Sequence, residues 1–114
     1  MVVYWFGADL YYANIKHFVE ETQRIVQESP QPVRWLVVDA GAITGIDFSA
    51  GRALVDLQSE LAQKGVVLAL TRVNDELRED LDSQGVTRAI GSERVFGSRR
   101  LCITAYQAGA PEKA

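Results

Sequence analysis

The stretch "DAGAITGIDFSAGRAL", residues 39–54, connects a run of apolar residues to an amphipathic helix. The segment "VRWLVVDA" at 33–40, which leads into it, is almost continuously apolar. Such a segment predicts a strand that is covered on both faces, as in a parallel sheet with helices packed on it. After the loop, apolar residues recur at helical spacing until Gly65, the expected end of the helix. They are Ala50, Ala53, Leu54, Leu57 and Leu61. The stretch is therefore predicted to be a strand–loop–helix unit.

The same alternation of strand and helix signals continues along the rest of the chain. Asn14 and Asn74 are predicted N-caps, and Pro30, Gly85 and Gly109 mark predicted helix ends. The other predicted strands are 2–6, a short extended piece at 10–12, 66–71 and 94–97. Strands that alternate with helices over short connections indicate an α/β fold. We predict an open, largely parallel sheet of four to five strands with about four helices packed on it.

Size and composition narrow the range of functions. With 114 residues, the chain is predicted to form one domain over residues 1–109, with a frayed tail at 110–114. A net charge of −3 argues against the basic surface of a nucleic-acid-binding protein, so no nucleic-acid partner is expected. The single cysteine rules out an internal disulfide. The longest aliphatic run, "VVLAL" at 66–70, is far shorter than the ~20 residues of a membrane span, and no signal peptide is visible. A small intracellular domain is expected.

The sequence carries no enzyme signature, and we predict neither a cofactor nor a metal site. Asp39, at the end of a central strand, would suit a phosphorylated receiver domain. Such a domain also needs an acidic pair after its first strand and a lysine after a late strand, and this chain has neither. Phosphate-binding glycine loops are missing from the sequence. His17 is predicted to be a solvated side chain and Cys102 a small buried hydrophobe, so no nucleophile–base pair or zinc site can be assembled.

The loop before the second helix is the remaining candidate site. If this helix begins at Ser49, its hydroxyl can accept a hydrogen bond from the backbone N–H of Gly51 or Arg52 and act only as an N-cap. Alternatively, the free N–H groups and the positive dipole of the helix N-terminus form a site for a phosphate, another anion or a nucleotide. A phosphate on Ser49 would be attracted by the helix end and repelled by Asp47, so the position can act as an electrostatic switch. Both interpretations stay open at this point.

The segment "DFSAGRAL" after "VVDAGAITGI" resembles the signature loop of STAS domains, in which D-S-S-G or D-S-[ST]-A opens the second helix. Asp47 matches the aspartate, and Ser49 matches the serine that a partner kinase phosphorylates in anti-anti-sigma factors. Phe48 and Ala50 depart from the motif. The opening "VVYWFGADLYYANIKHF" resembles the STAS domain of SulP-type sulfate and anion transporters. The matching residues are Tyr4, Phe6, Leu10, Tyr11, Ala13 and Asn14. The similarity spans residues 2 to about 106.

The resemblance implies a STAS fold and a non-catalytic regulatory and protein-interaction domain of a SulP-type anion transporter, on the cytoplasmic side of the membrane. The expected partners are the transmembrane part of the transporter, a regulatory protein and a nucleotide. The expected anion, nucleotide or partner loop at the start of helix 49–64 consists of Asp47, Phe48, Ser49, Ala50, Gly51 and Arg52. The alternative is a freestanding anti-sigma factor antagonist that is switched by phosphorylation of Ser49. Four aromatic residues fit either the core or an interface: Tyr4, Trp5, Tyr11 and Tyr12.

Overall fold

The computed structural model describes the backbone of residues 1–113 and the side chains of residues 1–109. Three strands and five α-helices follow one another in this described part of the chain. They are β1 (Val2–Trp5), α1 (Ile15–Glu28), β2 (Trp35–Asp39), α2 (Phe48–Gln63), β3 (Val67–Thr71), α3 (Asp75–Ser83), α4 (Val86–Ile90) and α5 (Arg99–Lys113). A 3-10 turn, Ser92–Arg94, lies between α4 and α5. The prediction of a frayed tail concerns residues 110–114, which fall outside the described side chains, and it stays a prediction.

The three strands form a parallel sheet in the order β1–β2–β3, so that β2 is the central strand. The register pairs Trp5 with Asp39 and Asp39 with Thr71, so all three strands end at the same edge of the sheet. Because β2 is hydrogen-bonded on both sides and apolar along almost its whole length, it lies in the interior. This arrangement confirms the predicted α/β fold with a largely parallel sheet.

Two of the predicted extended segments pair with a neighbour over a single residue. Leu10 bridges Ile46, and Val95 bridges Leu70 on the outer side of β3. The second of these segments stays short because a 3-10 turn precedes it and α5 follows it closely. The described part of the chain therefore contains three continuous strands, fewer than the four to five predicted.

The helices follow the sequence pattern in outline, although Asn14 makes no side-chain cap on α1 and α5 continues past the predicted end at Gly109 to Lys113. Asn74 caps α3 by accepting a hydrogen bond from the backbone N–H of Leu77 at 2.8 Å, and Gly85 after it has a φ of 76°, which favours glycine. The sequence-based prediction lacks α4, whose Val86 and Ile90 are buried. One apolar pair four residues apart is too short a pattern to distinguish a helix from a loop. Among the described residues, no helix combines the length and the apolar character needed to cross a membrane.

The two faces of the sheet are covered unequally. The main core lies between one face and helices α1 to α4, and it includes Phe18, Leu36 and Leu54. On the other face, Val37 packs with Cys102 of α5 in a smaller cluster, so the prediction that this cysteine is buried is confirmed. Successive residues of a strand point to opposite faces. Helix α5 covers only part of the second face, because Val3 and Trp5 of β1 are 53% and 57% exposed.

Candidate functional site

The loop between β2 and α2 is held in place by the loop that follows β1. Asp9 accepts hydrogen bonds from the backbone N–H of Thr44 at 2.7 Å, from the Thr44 hydroxyl at 3.0 Å and from the N–H of Gly45 at 3.3 Å. The bond from the Thr44 backbone contributes most to lowering the pKa of Asp9 below its ordinary value. Asp9 is therefore ionised at neutral pH and joins the two loops.

A second set of contacts joins the same loop to α3 and to the residues directly before and after it. Asp80 Oδ2 accepts a hydrogen bond from the backbone N–H of Ile46 at 3.2 Å, and the side-chain amide of Gln84 donates to the Ile46 carbonyl at 3.1 Å. Asn74 donates from its side chain to the carbonyl of Ile43 at 2.8 Å. Side chains thus satisfy backbone groups that have no partner in a helix or sheet. These contacts hold the start of α2 in a defined position.

The N-cap of α2 is Asp47, and the helix begins at Phe48, one residue earlier than predicted. Asp47 has an extended ψ of 177°, and its Oδ1 accepts a hydrogen bond from the backbone N–H of Ala50 at 2.8 Å. Its Oδ2 accepts from the N–H of Tyr12 at 2.9 Å. The prediction that Ser49 caps this helix is wrong, because Ser49 is already the second helical residue and an N-cap has a non-helical backbone.

The predicted six-residue loop divides into surface and packing positions around this cap. Three of its residues are exposed: Phe48, Ser49 and Arg52. Ala50 and Gly51 are buried against the rest of the protein. A Cβ atom at Gly51 would collide with Oε1 at the flexible end of the Gln84 side chain, so a larger residue there would require that side chain to move. A ligand or partner could therefore reach the exposed three residues and not the buried two.

Exposed aromatic side chains surround the start of α2. Phe48, Tyr12 and Tyr11 have exposed fractions of 71%, 75% and 46%. The backbone of Tyr12 is joined to the helix cap by its hydrogen bond to Asp47, the residue before Phe48, so these aromatic residues come from neighbouring parts of the surface. We call Tyr11, Tyr12 and Phe48 the aromatic rim. Large apolar side chains clustered on a surface in this way are typical of contact sites.

Tyr4 and Trp5, the other two aromatic residues considered for the core or an interface, lie away from the aromatic rim. Tyr4 packs edge-on against Phe18 in the main core, with ring centroids 5.7 Å apart. Its hydroxyl also donates a hydrogen bond to Glu21. Trp5 lies on the opposite face of the sheet, where α5 does not cover it. The sequence did not distinguish a core position from an interface position for Tyr4, Trp5, Tyr11 and Tyr12. Of these four residues, only Tyr4 packs in the core.

A buried carboxylate lies at the same edge of the sheet. Asp39 is 1% exposed, and its Oδ1 accepts a hydrogen bond from Nε of Arg72 at 2.8 Å. Its Oδ2 accepts from Nη2 of Arg99 at 2.7 Å, and Oδ1 also accepts from the backbone N–H of Gly41 at 3.0 Å. Burial raises the pKa of Asp39, but the hydrogen bonds from Arg72, Arg99 and Gly41 outweigh burial and hold this pKa below its ordinary value. We call Asp39, Arg72 and Arg99 the arginine–aspartate cluster.

Sequence reasoning missed the two arginines of this cluster. Arg72 directly follows β3 and has a left-handed φ of 55°, which is uncommon for a residue other than glycine. Arg99 is the first residue of α5. Both positions lie where strands end or helices begin, and that location is the signal that could have identified them. Because both oxygens of Asp39 are occupied by arginine donors, the carboxylate serves to join β2, β3 and α5.

The helix cap leads to a first prediction. Asp47→Ala should lower the free energy of unfolding by about 1–2 kcal/mol, because it removes the acceptor for the N–H groups of both Ala50 and Tyr12. Ser49→Ala, the matched control on the same helix, should change it by less than about 0.5 kcal/mol, because Ser49 is an exposed residue beyond the cap. Urea unfolding followed by circular dichroism measures both values. An equal cost for the two substitutions would contradict the assignment of the cap.

Comparison with known proteins identifies the family. The family model described as the STAS domain matches residues 1–100. The chain therefore belongs to the STAS domain family, as its loop and opening segment indicated.

Sequence relatives of the chain include sulfate transporters. A probable sulfate transporter of Mycobacterium tuberculosis is 32% identical over 107 residues, which cover 94% of this chain and 19% of the transporter. The probable sulfate transporter 4.2 of Arabidopsis thaliana is 27% identical over 116 residues, which cover 90% of this chain and 17% of the transporter. The chain thus spans about a fifth of the length of these curated relatives.

Solved structures show the same fold. A sulfate transporter family protein from Wolinella succinogenes superposes with a TM-score of 0.82 at 18% identity, over 96% of this chain and 87% of that one. The murine Solute Carrier 26 family member A9 anion transporter, in its inward-facing state, superposes with a TM-score of 0.84 at 21% identity. That match covers 93% of this chain and 17% of the transporter. The fold seen in these solved structures therefore agrees with the assignment of the chain to the STAS domain family.

Proposed function

We propose that this chain is the cytoplasmic regulatory and assembly domain of a SulP-type anion transporter, and that it acts by protein contact without catalysing a reaction. Similarity to sulfate transporters extends over most of the chain but over only a fifth of each relative. Transport in such a protein would be performed by the remaining four fifths. The contribution of this domain is then to bind the transmembrane part or a regulatory protein.

The observation that carries the proposal is the aromatic rim on a rigidly held helix start. Phe48 and Tyr12 are more exposed than any other large apolar side chain of the described residues. Contacts from Asp9, Asp80 and Gln84 fix the loop beneath them, so docking would cost little conformational entropy. Aromatic residues are enriched at the centres of protein interfaces, where they bury a large area each.

Ser49 lies within this surface and offers a means of regulation. Its exposed position in the first turn of α2 makes it accessible to a kinase. A phosphate there would add about two negative charges between the Asp47 carboxylate and the exposed Arg52. The carboxylate already placed at the helix end would oppose the phosphate, so phosphorylation would alter binding at the aromatic rim. The Asp47 carboxylate would oppose a free anion or a nucleotide bound at this helix end in the same way.

A freestanding anti-sigma factor antagonist is the second candidate, and the exposure of Ser49 is the observation that favours it. The reading frame that encodes the chain distinguishes the two. The transporter proposal expects about ten or more apolar spans of ~20 residues in the same frame. A short frame beside a kinase gene would support the antagonist instead.

A chimera tests the contact surface directly. When this chain replaces the matching segment of the Mycobacterium tuberculosis relative, we expect sulfate uptake by membrane vesicles to persist. The pair Tyr12→Ser with Phe48→Ser should then lower uptake about fivefold or more, because it removes the aromatic contact. The control pair, Trp5→Ser with Leu101→Ser, removes similarly exposed apolar side chains elsewhere and should leave uptake unchanged.

The same chimera tests the switch. Ser49→Glu should reduce uptake while Ser49→Ala preserves it, and the unfolding free energy of the isolated domain should change little in both. Equal uptake in all variants would overturn the contact proposal. Resonances of residues 41–52 that never shift on addition of a nucleotide, an anion or the transmembrane part would overturn the switch.

A further inference from the structure

A separate cavity lies at the edge of the sheet opposite the start of α2. It has a volume of about 410 Å³ and is bordered by Trp35 and Val67, the first residues of β2 and β3. Tyr106 of α5 and Arg94 of the 3-10 turn complete much of its wall. Because parallel strands begin at this edge and end at the other, the cavity is distinct from the aromatic rim.

The residues that line the cavity combine aromatic rings with positive charge. Trp35 and Tyr106 contact each other edge-to-face, with ring centroids 5.4 Å apart and an angle of 75° between the ring planes. Arg34 and Arg94 line the same cavity. Within the part of the chain whose side chains are described, ion pairs involve Arg24, Arg72, Arg78 and Arg99, so neither cavity arginine is neutralised by a carboxylate there.

The geometry points to a binding site for a small planar aromatic anion, such as an aryl sulfonate or aryl carboxylate. The ring would pack on Trp35 and Tyr106, and the negative group would accept hydrogen bonds from Arg34 and Arg94. A guanidinium presents its donors in a planar fork that matches such a group. The volume falls in the range of small-molecule sites, about 300–1,000 Å³.

Binding at this site would also affect the fold locally. Trp35 belongs to the central strand and Tyr106 to α5, the helix that covers the less protected face of the sheet. A ligand that contacts both residues holds α5 against β2. The inference goes beyond the proposed function, because it concerns neither Ser49 nor the aromatic rim.

The test is an NMR titration of the isotopically labelled chain with naphthalene-2-sulfonate. The chain has two tryptophans, so Trp5→Phe assigns the two indole N–H signals. We expect the Trp35 signal to shift with a Kd of about 1 mM or tighter, and the signal of the remote Trp5 to stay in place. Arg34→Gln with Arg94→Gln should raise the Kd about tenfold or more. Circular dichroism confirms that this variant is folded.

Matched controls distinguish binding at the cavity from a general electrostatic attraction between the anion and the arginines of the chain. Arg52→Gln with Arg88→Gln removes the same charge from two arginines outside the cavity lining and should change the Kd less than about twofold. Naphthalene-2-sulfonamide keeps the ring without the charge, and sulfate keeps the charge without the ring, so both should bind at least about tenfold more weakly. Equal binding of the sulfonamide or of sulfate would overturn the proposal. So would equal effects of the two arginine pairs or a Trp35 signal that does not shift.

Discussion

Replacing Arg72 and Arg99 together by methionine should lower the free energy of unfolding at pH 7 by about 3 kcal/mol, the largest effect we expect outside the hydrophobic core. The substitution removes both guanidinium groups from Asp39, which is 1% exposed. The carboxylate must then either stay charged without a partner or take up a proton, and both outcomes cost free energy. We place the value at the low end of the range for buried pairs because both arginines are partly solvated.

The loss of stability in the Arg72/Arg99 variant should depend on pH. The pKa of Asp39 is lowered in the folded protein, so the stability it contributes is present above the unfolded pKa, about 4, and is lost as the pH falls through the folded value. The arginine variant lacks this contribution. Its deficit relative to the wild type should therefore be large at pH 7 and shrink as the pH falls through the lowered pKa of Asp39 and the carboxylate becomes protonated. Urea unfolding at a series of pH values measures the difference.

The matched control is Arg24→Met with Arg78→Met, which breaks two ion pairs at the surface. Their partners, Glu21 and Asp82, are partly or largely exposed, so the pair should cost about 1 kcal/mol or less. Adding Asp39→Asn to the Arg72/Arg99 variant should recover part of the loss, because the buried charge is then gone. A deficit no larger than that of the control, or one that is independent of pH, would refute the role of the arginine–aspartate cluster.

The second large effect is expected for Leu54→Ala, at about 3 kcal/mol. Leu54 belongs to α2, is 2% exposed and packs under the loop that leads into this helix, next to Ile43 and Ile46. The internal space among these side chains is only about 10 Å³, so the surroundings contain little free volume before the truncation. The free-energy cost of the new cavity therefore adds to the cost of losing the buried part of the leucine side chain.

Denaturant unfolding of Leu54→Ala and Leu101→Ala measures this effect with a chemically identical control. Leu101 is 57% exposed on α5, so its truncation should cost less than about 0.5 kcal/mol. Because Leu54 supports the loop, the variant should also broaden or shift the backbone NMR signals of residues 41–47. Similar costs for the two leucines would mean that α2 is not anchored through its apolar stripe.

Most of the architecture could be predicted from local patterns. The apolar run at 33–40 is a central strand, and the stripe from Ala50 to Leu61 faces the core. Asn74 and Gly85 have the capping and turn roles that their residue types favour. These features are set by spacing and by the conformational preferences of single residues, so the sequence contains the necessary information. α4 was missed because five residues provide too little periodicity.

The interpretation of Ser49 as the cap of α2 was wrong, since the cap is Asp47, and the binding role of the loop stays a prediction. Asp47 and Ser49 are both good N-caps by residue type, and local preference cannot choose between them. The choice is made by Tyr12, whose backbone N–H, 35 positions away, also requires an acceptor and finds it in Asp47. Exposure of Phe48 and Tyr12 likewise depends on how α1 and α2 pack, which the pattern around either residue does not encode.

By itself, the sequence determined the parallel sheet and the order of its three continuous strands and the longer helices, because these follow from periodicity. It also carried the motifs, made of residues adjacent along the chain, by which the chain resembles STAS domains. Only the tertiary structure decided that Asp39 meets Arg72 and Arg99, that Trp35 and Tyr106 border one cavity with two arginines, and that aromatic residues gather at the start of α2. The reason is physical: hydrogen bonds, ion pairs and exposure depend on distances between side chains, and residues far apart in sequence acquire those distances only when the sheet and helices pack.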